Sequence, residues 1–287
     1  MDGADRTLKI EKNSRNVLTV RFDDVHEGWQ QWFLLSSDHH FDSTHCDREL
    51  LVEIMDKARR KKAKHFVFGD MFDLMQGRDD KRRTYTDLRV EYKVNSYANA
   101  VLDDAKKFYK PYADQLLLIT PGNHESKYTQ KSNFDMITAI IDRLGGNIVQ
   151  GCYGGYVRFM FTVHKTKRQS VNLKYHHGAG GGGEVTRGTI QTNRQAVYLP
   201  DADIVVNGHT HDEFVLPIAR ERLRDSGKIE KDLLWFVRTP SFKDAHADGG
   251  DGWDVETWKP PKPRGAVWLH FYYEKKRVQF DLVADVR

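Results

Sequence analysis

Only two cysteines, Cys46 and Cys152, occur in the 287 residues of this sequence. That number excludes the disulfide framework on which small secreted domains depend. No apolar run approaches the roughly 20 residues that a membrane-spanning helix needs. The first residues, Met1 to Arg6, do not place an apolar stretch after a basic one, as a secretory signal would. We therefore expect a cytoplasmic protein without a membrane partner.

Two motifs of common enzyme classes are also missing. The sequence has no Gly-x-Ser-x-Gly turn, which presents the nucleophilic serine of many hydrolases. The glycine-rich stretch 178–183 lacks the Gly-Lys-Ser/Thr ending of a nucleotide-binding P-loop. The sequence therefore indicates neither class, and we interpret 178–183 as a loop beside the functional site.

Charge does little to identify a partner. The net charge of +4 is small for this length, although basic residues are bunched at 59–62 and 81–83. Such runs are compatible with a nucleic-acid partner, but they are more often solvated faces of helices or loops. The sequence does not indicate an oligomeric state.

Histidine, by contrast, is abundant and arranged in pairs. There are 13 histidines, and six of them stand close together as His39-His40, His176-His177 and His209-x-His211. Imidazole is the commonest metal ligand in proteins. These pairs therefore indicate a metal site.

The histidine pairs belong to polar clusters that each follow a predicted strand. Short apolar runs at 32–37, 65–68, 116–120, 171–175 and 203–207 predict strands, and a possible edge strand covers Thr19 to Phe22. Apolar spacing predicts helices over 47–63, 79–112 and 132–144. Ligands bind at the carboxyl ends of strands in open α/β sheets. The five clusters are Asp38-His39-His40, Gly69-Asp70-Met71-Phe72-Asp73, Gly122-Asn123-His124-Glu125, His176-His177-Gly178 and Gly208-His209-Thr210-His211.

This order of motifs, D-x-H, G-D-x-x-D, G-N-H-E, H-G and G-H-x-H, resembles the calcineurin-like metallophosphoesterase superfamily over residues 38–211. The resemblance implies an α/β fold, a four-layer αββα sandwich of two mixed β-sheets flanked by helices. We interpret residues 1–287 as a single domain with an N-terminal extension over about 1–30 and a helical cap insertion over about 77–112. The implied activity is hydrolysis of phosphate esters, as a phosphatase or phosphodiesterase, by a hydroxide that bridges two metal ions.

The first metal ion is expected to bind Asp38 and His40. In an extended D-x-H segment the two side chains point to the same side, so both can contact one ion. By resemblance, His211 completes this site. Two-metal sites need a separation of about 3.5–4 Å. A bridging carboxylate achieves that spacing, and Asp70 is the expected bridge.

The second metal ion is expected to bind Asn123 through its amide oxygen, together with His209 and one further histidine. We favour His177, because it directly precedes Gly178 as in the H-G motif of the superfamily. Alternation along a strand says only that His176 and His177 face opposite ways. His176 therefore stays as the alternative.

We expect the cofactors to be two divalent ions, Mn²⁺ first, with Fe, Zn²⁺, Ni²⁺ or Co²⁺ as alternatives that His, Asp and Asn ligands also accept. The negative charges of Asp38 and Asp70 offset only part of the charge of two such ions. The site therefore stays positive and should attract a phosphate-ester substrate.

By resemblance, His124 is the general acid or a group that stabilises the developing charge. A carboxylate usually orients such an imidazole, and Asp73 and Glu125 are the candidates. Glu125 stands where the superfamily commonly has Asp, which is one methylene shorter. His39 lies between two expected ligands, and we interpret it as a packing or hydrogen-bonding residue that faces away from the metals.

Substrate contacts are expected from Arg82 and Arg89 in the insertion and from Arg187 after the glycine loop. The basic insertion, together with Trp253 and Trp258 on a long loop at 248–264, supports a DNA nuclease as the alternative to a phosphatase or phosphodiesterase for small substrates. A non-catalytic metal-binding scaffold is the remote alternative. It is disfavoured because every expected ligand position holds a competent residue.

Overall fold

The structure, a computed structural model, describes residues 8–75, 88–181, 183, 185–247 and 253–287. Six α-helices are present in these ranges: α1 (Arg48–Arg60), α2 (Tyr97–Tyr109), α3 (Asn123–Ser132), α4 (Met136–Leu144), α5 (Thr189–Tyr198) and α6 (Trp253–Glu256). The strands are β1 (Lys9–Ser14), β2 (Val17–Val25), β3 (Gln30–Ser36), β4 (Lys64–Phe68), β5 (Leu116–Thr120), β6 (Val149–Gln150), β7 (Gly154–Val163), β8 (Lys167–His176), β9 (Ile204–Asn207), β10 (Phe214–Leu223), β11 (Ile229–Arg238), β12 (Gly265–Glu274) and β13 (Arg277–Val286).

Two mixed sheets pack face to face. One has seven strands in the order β1-β2-β7-β8-β9-β11-β10, and the other has six in the order β13-β12-β3-β4-β5-β6. The core between them is rich in aromatic side chains, including Phe33, Phe66, Phe159 and Phe271, none of which is accessible to solvent. Burial of such large apolar groups is the dominant stabilising term of a fold. The expected fold class, two mixed sheets with helices, is confirmed.

Helices cover the outer faces of both sheets. On the six-stranded sheet, α1 buries Leu51, Ile54 and Met55 in a second core that α2 and α4 complete. The spacing of these residues matches the helical repeat, and the Asp47 carboxylate caps the first turn by accepting from Leu50 N at 2.9 Å. A smaller apolar cluster follows α5 on the seven-stranded sheet. None of the helices described here has both the length and the apolar character needed to cross a bilayer.

Three predicted elements differ from the structure. Thr19 to Phe22 lies inside β2, which pairs with both β1 and β7, so the prediction of an edge strand was wrong. Most of the stretch interpreted as an N-terminal extension thus contributes two strands to a sheet. The helix predicted over 132–144 begins later, as α4 after the Asp135 cap, because Asn133 ends the preceding helix α3 with a left-handed backbone. Of the helix predicted over 79–112, residues 79–87 lie outside the described residues, and α2 occupies its second half.

Candidate metal centre

The five polar clusters meet at one end of the sandwich. β3, β4 and β5 are parallel neighbours in one sheet, and β8 and β9 are parallel neighbours in the other. The carboxyl ends of parallel strands lie at the same edge of a sheet, and each cluster lies at such an end. Ligand atoms within 4.8 Å of one another form three groups: Asp38, His40 and His211; His40, Asp70 and His124; and Asp70, His177 and His209.

The first group joins Asp38, His40 and His211. The Nε2 atoms of the two histidines face each other at 3.2 Å. Oδ1 of Asp38 lies 3.4 Å from His211 Nε2 and 3.9 Å from His40 Nε2. This oxygen is buried and accepts no hydrogen bond from the residues that the structure describes. A carboxylate oxygen and two imidazole nitrogens thus converge on one point, which is the donor set of a divalent metal site.

His40 is held in place from its other nitrogen. Its Nδ1 lies 2.8 Å from Oδ1 of Asp73, and both side chains are buried. A metal-binding histidine usually donates its second N–H to a carboxylate or carbonyl, which fixes the tautomer and the ring orientation. With the proton on Nδ1, the Nε2 lone pair faces Asp38 and His211.

The third group joins Asp70, His177 and His209. Oδ2 of Asp70 is 3.0 Å from Nε2 of His177, which is also 3.1 Å from the amide oxygen of Asn123. His209 completes the group. Nδ1 of His177 lies 2.8 Å from the main-chain oxygen of Phe68, so this ring, too, presents Nε2 to the cluster.

The two neighbouring histidines at the end of β8 have different surroundings. His177 is inaccessible to solvent and lies in the third group, with Asp70 and His209. His176 is half-buried, and its Nδ1 accepts from the main-chain N–H of Gly178 at 3.1 Å. The structure therefore brings His177 to the expected ligands and leaves its alternative outside.

The adjacent pair allows a matched comparison. We expect His177→Ala to weaken one of two Mn²⁺ sites by more than the roughly 10–100-fold that loss of an outer partner of a ligand costs. His176→Ala should bind both ions as the unchanged protein does. Calorimetric titration of the chelated protein with Mn²⁺ measures both affinities. Equal losses in the two variants would contradict the assignment of His177.

Five of the clustered residues have a left-handed backbone. Asp38, His40, Asp70, His209 and His211 all have positive φ, between 47° and 72°. Few residues other than glycine adopt this conformation, and its occurrence at several neighbouring positions is typical of a functional site. The reasoning that Asp38 and His40 alternate along an extended segment was therefore wrong. Their side chains converge because the chain turns sharply after β3.

Glycines let the cluster loops approach one another closely. A Cβ on Gly122 would overlap the Asp70 carboxylate, because it would lie 2.7 Å from Cγ of Asp70. A Cβ on Gly208 would lie 2.7 Å from the Cβ of Ser37 and would also overlap Asp38. These separations are shorter than non-bonded carbon atoms tolerate, so any side chain at either position would displace an expected metal ligand.

The electrostatics of the site favour a cation. Asp38 and Asp70 are at most 1% exposed. Burial alone would lower the pKa of His177, but the charges of Asp70 and Asp38 raise it to about 10. Burial would likewise raise the pKa of Asp70, yet His177 and His124 hold it well below its ordinary value. Two buried carboxylates thus demand compensating positive charge, and the residues present fit a pair of divalent ions.

His124 and Glu125 lie at the start of α3. Nδ1 of His124 is hydrogen-bonded to the main-chain carbonyl of Asp73, whereas the Asp73 carboxylate is 4.0 Å away. The Glu125 carboxylate accepts from the main-chain N–H groups of Gly122 at 2.8 Å, Phe72 at 2.9 Å and Asp70 at 3.2 Å. The expectation that one of these carboxylates orients His124 is therefore corrected: a main-chain carbonyl does so, while Glu125 joins two cluster loops.

Substitution of Glu125 should cost folding stability. Burial and the neighbouring Asp70 raise the pKa of this carboxyl to about 7, and three backbone donors depend on it. Glu125→Ala leaves those donors buried without an acceptor, at about 1–3 kcal/mol for each unsatisfied group. We expect the free energy of unfolding, measured with urea on the chelated protein, to fall by at least about 3 kcal/mol. A loss below about 1 kcal/mol would contradict this role.

The predicted substrate contacts fare differently. Arg82 lies outside the described residues. Arg89 points inward, with Nε and Nη2 donating to the main-chain oxygens of Ser43 at 3.0 Å and Cys46 at 3.2 Å. Arg187 is exposed on the loop before α5, with no contact to the cluster among the described residues.

Other residues of the centre have no motif of their own. Tyr153, between β6 and β7, stacks edge-on against His177 with 5.6 Å between ring centres and donates to the carbonyl of Gly178 at 2.8 Å. Lys243 extends its amine to 3.6 Å from Oδ1 of Asp73. His39 faces away from the cluster, as expected, and lies within hydrogen-bonding distance of Tyr109 and Ser36. Single residues outside the polar clusters give no signal that spacing could reveal.

Comparison with solved structures gives matches at low identity. GAP50, the anchor in the inner membrane complex of Plasmodium, is 10% identical with a TM-score of 0.46, over 89% of this chain and 84% of that one. Vacuolar protein sorting 29 from Cryptosporidium parvum is 12% identical with a TM-score of 0.37, over 90% and 100% of the two chains. A predicted phosphoesterase from Streptococcus pneumoniae is 12% identical with a TM-score of 0.34, over 88% and 89%. Likeness at this level says nothing about activity.

The sequence itself matches a family model. The model of the calcineurin-like phosphoesterases covers residues 32–213, which is more than half of the chain and includes all five polar clusters. Comparison with curated protein sequences gives no match. The resemblance seen in the motifs is thereby confirmed, and the chain belongs to the calcineurin-like phosphoesterase family.

Proposed function

We propose that this protein is a hydrolase that uses two divalent metal ions to cleave phosphate esters of small molecules or nucleotides. One observation carries the proposal: three groups of mostly buried histidines and aspartates overlap, with His40 shared by the first two and Asp70 by the last two. Such an arrangement suits ions held a few ångströms apart, as in two-metal phosphatases.

The first ion would bind Asp38, His40 and His211, and the second would bind Asn123, His177 and His209, with Asp70 between them. Bound divalent ions supply Lewis acidity and lower the pKa of water towards neutrality. Mn²⁺ is the ion to test first, because the carboxylate and amide oxygens of Asp38, Asp70 and Asn123 suit it. The protein's own contribution is to hold these side chains at the edge of the two sheets where the parallel strands end.

His124 is the residue proposed to handle the leaving group. Its Nδ1 contacts the Asp73 carbonyl, and its Nε2 lies 3.7 Å from Oδ2 of Asp70, at the edge of the cluster. In the cationic imidazole, Nδ1–H donates to that carbonyl and the Nε2 proton is available. That proton would pass to the ester oxygen as the P–O bond breaks, so that the leaving group departs as a neutral alcohol.

A hydrolysis panel with added Mn²⁺ tests the proposal. The panel contains an aryl phosphomonoester, an aryl phosphodiester, a nucleoside monophosphate, a cyclic nucleotide, and single- and double-stranded DNA. We expect turnover of at least one small ester, loss of that turnover with a chelator, and recovery with Mn²⁺. A protein that binds two ions and hydrolyses none of these compounds would refute the proposed reaction and favour the scaffold alternative.

The described residues give the nuclease alternative no specific support. Arg89, one of its proposed phosphate contacts, has its guanidinium on main-chain carbonyls of the fold. Trp258 is 88% exposed and could stack on a base, but it serves equally for the ring of a nucleotide. Cleavage of DNA without cleavage of small esters would reverse this preference.

A further inference from the structure

Besides the five polar clusters, a sixth segment of the chain, residues 238–243, contacts the loops that carry the expected metal ligands. It begins with the last residue of β11, which runs parallel to β9 with Arg238 paired to Asn207. Its carboxyl end therefore lies at the same edge of the sandwich as the five polar clusters. The segment lies outside the residues 32–213 that the family model covers. None of the sequence motifs includes it.

The first contacts of this segment hold the loops that carry Asp38 and His209. Arg238, only 2% exposed, donates from Nη1 to the main-chain oxygen of Gly208 at 2.8 Å. Oγ1 of Thr239 lies 2.7 Å from Oγ of Ser37. The N–H of Phe242 donates to the main-chain oxygen of Asp38 at 3.0 Å.

The last residue of the segment reaches the third loop. The amine of Lys243 lies 3.6 Å from Oδ1 of Asp73, with its side chain 13% exposed. The same carboxylate oxygen lies 2.8 Å from Nδ1 of His40. Lys243, Asp73 and His40 are thus connected by two successive contacts, and His40 belongs to the first ligand group.

The charge of the buried Asp73 carboxylate explains why a lysine lies beside it. A buried carboxylate without a cation is costly and tends to become protonated. Asp73 is only 6% exposed, and the amine of Lys243 is the cation that lies 3.6 Å from its carboxylate. A carboxylate oxygen 2.8 Å from Nδ1 of His40 favours the tautomer with the proton on that nitrogen, which leaves Nε2 free to face the cluster.

We infer that Lys243 is a positioning residue of the metal centre, which acts through Asp73 to fix the ring of His40 with Nε2 towards the first ion. The inference rests on the proposed function only for the presence of bound metal, and not for the reaction.

The test is titration of the chelated protein with Mn²⁺ by calorimetry, without substrate. Lys243→Met should weaken one of the two sites by about 10–100-fold, the cost of losing an outer partner of a metal-binding histidine, and leave the other unchanged. Asp73→Asn should weaken the same site. The double variant should be no weaker than Asp73→Asn alone, because the lysine acts through that carboxylate. Lys243→Arg should restore most of the affinity.

Lys57→Met is the matched control, since Lys57 also lies near a carboxylate, Asp285, at 3.2 Å but on α1 away from the centre. Unchanged affinities in Lys243→Met would overturn the inference, as would additive losses in the double variant. The inference would also be overturned if Lys243→Met weakened both sites equally and lowered the melting temperature of the chelated protein. If Lys243→Met does not fold, Asp73→Asn decides, and two unweakened sites in it would overturn the inference. Wild-type protein that binds two ions without hydrolysing any ester would refute the proposed function and leave this measurement valid.

Discussion

Asp70→Ala should lose both metal ions and, with them, all hydrolysis. Asp70 is shared by two of the three ligand groups, the one with His40 and His124 and the one with His177 and His209. Its Oδ2 lies 3.0 Å from His177 Nε2, and its Oδ1 accepts the main-chain N–H of His124 at 3.0 Å. Removing the carboxylate takes away the charge that brings the two ions together. We expect each Mn²⁺ affinity to fall by more than about 100-fold, beyond the cost of losing an outer partner.

Asp203→Ala is the matched control for this substitution. Asp203 is also a partly buried aspartate that accepts a main-chain N–H, from Asn172 at 2.8 Å, but it lies at the opposite end of β9. The control should keep both ions and full activity, measured by calorimetry and by turnover of an aryl phosphate. Retention of one tight site in Asp70→Ala would show that Asp70 serves a single ion.

His124→Ala should keep both ions and turn over far more slowly. General acid–base catalysis contributes about 10²–10⁴-fold to a rate, and we expect kcat to fall within that range. The loss should be largest for an alkyl phosphate, whose leaving oxygen needs a proton, and smallest for a nitrophenyl phosphate, whose leaving group is stable as an anion. A general acid therefore predicts a loss that varies with the leaving group.

Metal content decides whether that reading of His124 is right. His124 also lies in a group with His40 and Asp70 whose ligand atoms are close enough to share an ion. If His124→Ala binds one ion fewer, the residue is a ligand and not the general acid. His164→Ala, a histidine near Tyr273 and remote from the centre, should change neither kcat nor stoichiometry.

The sequence predicted the strand ends of this fold much better than the contacts made there. Short apolar runs followed by polar clusters are strong local signals, because a buried parallel strand must end where its polar residues begin. That pattern located β3, β4, β5, β8 and β9 and brought their clusters to one edge. The prediction that His39 faces away from the cluster was also correct, although the extended segment from which it was argued is absent.

The partners of each side chain depend on tertiary geometry that spacing does not encode. Asp73 could have reached His124 or His40, and only the turn after β4 brings its carboxylate to His40. The left-handed backbone at Asp38 and His40 replaces the extended segment that their spacing suggested. Lys243 lies 170 residues after Asp73 in the chain, and the path of the chain after β11 brings the two side chains together. No local sequence pattern could reveal this contact.

The expected ligands come from both sheets, and this division bears on the lifetime of the folded protein. Asp38, Asp70 and Asn123 follow strands of the six-stranded sheet, whereas His177 and His209 follow strands of the seven-stranded one. Bound ions would therefore act as cross-links between the two layers, in addition to hydrogen bonds such as the one between His177 and the Phe68 carbonyl. Because the unfolded chain has no such site, ions at 100 times their dissociation constant add about 2.7 kcal/mol per site to stability. Metal supply would then control how often the layers separate, and hence how quickly proteases destroy the protein.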